Sequence, residues 1–119
     1  MKSILLLMSF SFLILAVDSV KGQVVNLDSL KAELSLVEND TTQLLLLGML
    51  ANGYRELSPD SSMTYGEKMQ TLSHKMDLKL EEAFALAEIG YALTNMANYP
   101  RSLQVLLNAE AILENPEIR

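Results

Sequence analysis

Residues 98–116, NYPRSLQVLLNAEAILENP, decide how this chain is read. A proline stands near each end, and no other interrupts the stretch. Leu103, Leu106 and Leu113 recur at three- and seven-residue steps, with Ile112 beside them, the period of an amphipathic helix. Among them sit Ser102 and Ala109, two helical turns apart on one stripe. A helix that needed only bulk in its core would carry large side chains there. Small ones at that spacing predict that something comes very close to this helix, and another helix is the simplest candidate.

Working backwards, turn signals divide the rest. Asn26-Leu27-Asp28-Ser29 opens a short segment in which Leu27, Leu30, Leu34 and Val37 keep helical spacing. Asp40, with Gln43 three residues on, reads as a capping box for the next helix, which runs to about Glu56 or Leu57. Ser58 and Pro59 then read as N-cap and first helical residue of a helix reaching about Lys75. Asp77 is expected to cap a long helix over 78–97, and Pro100 to open the last one, ending near Leu113. No stretch alternates as a strand does. Short connections force sequential helices to lie antiparallel. The expected fold is therefore all-α: a short N-terminal helix within 23–39, two helical hairpins over about 40–76 and 77–116, and a tail at 117–119.

The first 22 residues read differently. Met1-Lys2-Ser3 is a short basic start, Ile4 to Val17 is apolar apart from two serines, and Val20-Lys21-Gly22 ends on a small residue. That order is what a secretory signal peptide needs. Its 14 positions fall short of the roughly 20 that cross a bilayer as a helix. Cleavage after Gly22 is the favoured reading; an uncleaved anchor and an ordinary buried helix are the alternatives. The chain is accordingly expected to be exported, periplasmic or extracytoplasmic, with membrane contact only through an uncleaved segment.

With no cysteine, neither a disulfide nor a thiolate metal site can form. Residues 23–119 hold seven basic and fourteen acidic side chains, a net charge of −7. That balance argues against nucleic acid, which rewards clustered Lys and Arg, and against anionic lipid. Chemistry is equally hard to place. His74 is the single histidine, at a helix end where it complements the negative dipole. Glu81, Glu82 and Glu88 fall where acids support a helix N-terminus and face solvent. The five glycines (22, 48, 53, 66 and 90) are isolated, so no phosphate loop exists. Gly48 and Gly53 read as close-approach sites within one helix. No catalytic residue, metal site or cofactor is expected, and the chain is not expected to be an enzyme. Met49, Met63, Met69, Met76 and Met96 read as core filling.

The two hairpins resemble each other. Ala51 and Gly90 are 39 residues apart; Ser62 and Ser102 are 40 apart, as are Met69 and Ala109. Self-similarity at a fixed step is the signature of a solenoid. The pattern resembles the tetratricopeptide repeat family. The second hairpin carries the match at Ile89, Gly90, Leu93, Tyr99, Ser102, Leu106 and Ala109. It departs at Ala97, where glycine is usual, and at Glu114, where proline is usual and Pro116 comes two residues late. The first hairpin fits at Ala51, Tyr54 and Ser62, while Gly66 and Met69 replace the usual large and small residues. The resemblance implies stacked hairpins, with Gly90 facing Ser102 and with Ala109 receiving the first helix of a following repeat. Tyr54 and Tyr99 are implied packing positions. It implies a protein- or peptide-binding groove lined by the first helices of each hairpin, into which Tyr91 and Asn95 would project.

The signal segment, the DSLKAEL helix and repeats near 40 residues look like the exported tetratricopeptide regions of Bacteroidota-type sensor histidine kinases and regulators. That implies a sensory input module. A stand-alone scaffold or dimerising protein is the alternative, because the last helix keeps Leu, Val and Ile on more than one face and so offers a surface for self-association.

Overall fold

The computed structural model describes residues 26–118, so the expected signal segment lies outside the described residues. Five α-helices follow in order: α1 Leu27–Leu36, α2 Asp40–Gly53, α3 Pro59–Lys75, α4 Lys79–Asn95 and α5 Tyr99–Leu113, then a short 3-10 turn at Pro116–Ile118. No strand occurs among the described residues. Each helix packs on the one before it, and α2 also touches α4.

The helix starts follow from local chemistry. Asn26 Oδ1 accepts from Ser29 N at 3.1 Å, and Asn39 Oδ1 from Thr42 N at 3.1 Å. The cap of α2 is thus Asn39, not Asp40. Asp40 instead becomes the first helical residue, where its charge suits the helix dipole. Gln43 does not close a capping box; its Nε2 donates to Val37 O at 2.9 Å and pins the α1–α2 turn. Ser58 caps α3 with Pro59 at its start, as expected.

The ends of α3 and α4 share one device. Asp77 (φ 55°) and Ala97 (φ 61°) are left-handed. Leu78 N returns to Ser73 O at 2.9 Å, and Asn98 N to Leu93 O at 2.8 Å. This is the closure that satisfies orphan carbonyls at a helix end. Asp77 therefore terminates α3 and does not cap α4, whose N-cap, Leu78, has no side-chain bond. Glu81 and Glu82 in the first turn of α4 complement its dipole instead.

Sequence separations show the antiparallel course. Gly90 meets Leu106 while Thr94 meets Ser102. Likewise Gly66 meets Ile89 while His74 meets Glu82. In both pairs of helices, one partner number rises as the other falls.

The core lies along these contacts. Leu44, Leu47, Met69 and Ala85 form one buried cluster, and Leu30, Leu46 and Leu50 another, with Leu34 and Tyr65 packed against both. At α4 the side chains shrink. Ala83, Ala85, Gly90 and Ala92 are all buried there, because α2, α3 and α5 each approach this helix. A Cβ on Gly90 would lie 2.5 Å from Leu106 Cδ2, and one on Gly66 3.0 Å from Ile89 Cγ1. Small residues thus admit neighbouring helices.

The hairpins repeat a hydrogen bond as well as a spacing. Ser62 Oγ donates to Ala51 O at 2.6 Å, and Ser102 Oγ to Gly90 O at 2.8 Å. Both serines are buried. The molecule is thus a small, repeat-like, all-helical domain.

Several expectations need correction. Ala109 is buried within the described helices, where α5 packs on α4. Tyr99, by contrast, is 63 % exposed, because it opens α5 at the edge of the described stack. Gly53 is a close-approach site, facing Leu27, but a Cβ on Gly48 would meet Met69 only at 3.4 Å, ordinary contact. Met69 is core, while Met49 is exposed. Glu82 does not face solvent: it is buried, 3.1 Å from His74 Nδ1 and 3.6 Å from Lys79 Nζ.

Candidate functional site: the outer face of helices α2 and α4

On α2, Leu45, Gly48, Met49 and Asn52 recur at three- and four-residue steps, opposite the buried leucines. On α4 the matching stripe is Leu80, Phe84, Glu88, Tyr91 and Asn95. This periodicity puts each set on one face of its helix. The face is unusually apolar for an exterior: Leu45 is 64 % exposed, Phe84 55 % and Tyr91 52 %, with Leu80 and Met49 also exposed. Single exposed apolar residues need no explanation, but five along two neighbouring helices do.

A groove of about 620 Å³ runs here, lined by Thr41, Leu45, Gly48, Met49 and Asn52 with Met69 and Glu81. A second hollow of about 570 Å³ lies between α1 and α3, walled by Leu34, Leu47 and Leu72 with Glu67, Lys68 and Lys75. Its charges are of both signs, and it lacks exposed aromatic residues.

One polar junction ties the two stripes together. Arg55, just past the end of α2, donates to Glu88 at 2.6 and 3.4 Å. Asn52 Nδ2 also reaches Glu88 at 3.4 Å. The Arg55 guanidinium lies 4.5 Å from the centre of the Tyr91 ring. Hydrogen bonding to Glu88 pushes the Arg55 pKa up, against the opposing effect of burial, with the charge of Glu88 adding to the rise. A two-point guanidinium–carboxylate contact is directional as well as attractive, so it fixes α2 against α4.

Tyr91 and Asn95 both lie on this face and are exposed, so the structure brings the two expected partner-binding residues together. Asn95 also has work inside the chain: its Nδ2 donates to Arg55 O at 3.0 Å. The packing set falls elsewhere. Ala51, Ser62, Gly90, Ser102 and Ala109 are buried, Tyr54 stacks on Tyr65 at 5.8 Å, and Leu106 covers Gly90 while 38 % exposed. Sequence reasoning missed Arg55, Glu88, Leu45 and Phe84 as members of the face. The seven-residue step from Phe84 to Tyr91 was the available signal; the pairing of residues 55 and 88 had none, because it crosses between hairpins.

Among the described residues, no cluster of His, Asp or Glu could hold a metal ion. No described helix is long and apolar enough to cross a membrane. No protein-family model, curated protein or solved structure matches this chain.

Proposed function

We propose that this chain is a non-enzymatic, exported, tetratricopeptide-type module that binds protein or peptide, working as the extracytoplasmic input part of a sensory regulator. The observation that carries the binding role is the exposed apolar face of α2 and α4, braced by the Arg55–Glu88 junction. A rigid surface with aromatic anchors loses little entropy when a partner docks. The repeated serine-to-carbonyl bond supports the repeat reading, since it joins the matched small positions of both hairpins, spanning 11 residues in one and 12 in the other. Export and the sensory role rest on the N-terminal segment and on the family resemblance.

Phe84→Ser combined with Tyr91→Ala tests the binding role. Both side chains are exposed, so helicity by circular dichroism should be unchanged while partner capture is lost. Capture that survives the pair would overturn the role. Asn95→Ala is a poorer probe, because it also removes the bond to Arg55.

A second reading, a stand-alone scaffold that dimerises, is favoured by α5. Tyr99, Leu103, Leu107 and Leu113 are exposed there. A reading frame continuing past Arg119 into a membrane span and a kinase would exclude it.

A further inference from the structure

We infer that the occupant of the α2–α4 groove is a segment of another protein that is apolar and carries a basic residue. This rests on the binding role proposed above and adds the chemistry of the partner. Leu45 and Met49 line the groove and Phe84 stands exposed on the α4 stripe of the same face, so the partner brings Leu-, Ile- or Phe-type side chains.

Its charge follows from which groove charges are already answered. Arg55 is the cation beside the face; Glu88 pairs with it at two points and the Tyr91 ring lies against its guanidinium. Lys79, at the start of α4, is held between Asp77 and Glu82 at 3.6 Å each. Lys68, on α3, lies over the Tyr65 ring. No cation lines the groove to receive an acidic segment; Lys31 and Lys75, which form no ion pair among the described residues, are not part of its wall. Glu81 is different. It lines the groove, is half-buried, and forms no ion pair among the described residues. Glu56, exposed beside Arg55, adds a second negative charge near the other end of the face. An acidic partner would meet like charge, while a Lys or Arg on an apolar segment would find Glu81 waiting at the groove wall. Complementarity of this kind selects among partners more than it adds affinity.

The test is to pan a random twelve-residue peptide display library on the immobilised protein. Enriched peptides are expected to be rich in Leu, Ile or Phe and to carry net positive charge. Glu81→Gln should weaken the best of them roughly fivefold, about what one partly screened ion pair contributes. Phe84→Ser should remove them. Charge-reversed synthetic versions, with Glu in place of Lys or Arg, should bind more weakly. If the enriched peptides are neutral or acidic, or if Glu81→Gln leaves affinity unchanged, the charge assignment is wrong while the groove itself stands. If nothing enriches, or if binding is indifferent to Phe84→Ser, the groove is not the binding face and both proposals fall.

Discussion

At Ala97 the chain holds a non-glycine residue at φ 61°. A Cβ in the left-handed region costs roughly 1–2 kcal/mol. Ala97→Gly relieves that strain at some entropic cost of its own, so a net gain of about 1 kcal/mol is expected in urea unfolding. Gly90 makes the opposite case. Its Cβ position is occupied by Leu106, with Cγ at 2.7 Å. Overpacking a tight contact costs about 1–3 kcal/mol, and the better helix propensity of alanine returns about 1 kcal/mol of it. Gly90→Ala should therefore destabilise, and in a Leu106→Ala background the penalty should vanish. Additive effects in that cycle would show that the two residues do not touch.

The elements divide sharply in how far the sequence announced them. All five helices were legible, because turn residues and apolar spacing agreed. Ser58–Pro59 marked a start without ambiguity. At residues 39 and 40, two cap-competent side chains stand side by side, and only backbone geometry could choose Asn39. Asp77 misled for a related reason: aspartate is at home both as an N-cap and in a left-handed turn. Ala51, Ser62, Gly90 and Ser102 exposed the hairpin crossings because smallness at a fixed step has few other causes. The α2–α4 face was half legible. Tyr91 and Asn95 stood out by type, but the partners that position them lie 40 or so residues away. Glu82 was only half readable from its own helix: Lys79 lies three residues before it, but the His74 side chain that also meets it comes from α3.

The Arg55–Glu88 ion pair joins the two hairpins. Glu88→Gln keeps the shape but removes the charge, so it should lower stability by about 1 kcal/mol. Raising salt should shrink the difference between the two proteins. Arg55 itself adds no pH dependence near neutrality. Its pKa is raised on folding by Glu88, so its contribution is fully present at neutral pH and fades only in strong alkali. Unchanged stability in Glu88→Gln would mean that apolar packing alone holds α2 on α4.

Among the described residues, two helix surfaces stand out as apolar and exposed: the α2–α4 face and the outer side of α5. They predict separable behaviour. Sedimentation at rising concentration should show self-association that Leu103→Gln with Leu107→Gln suppresses, with peptide binding in the groove left intact. A mass independent of concentration would remove the scaffold reading and leave the groove untouched. Both surfaces are displayed by one device, the close approach of helices where their side chains are smallest. Nuclear Overhauser contacts between the Leu106 methyl groups and the Gly90 α-protons read that approach directly. Strong cross-peaks are expected, with Ala109 amide exchange slowed by burial. Their absence, with fast exchange at Ala109, would contradict the packing on which the fold and its proposed role depend.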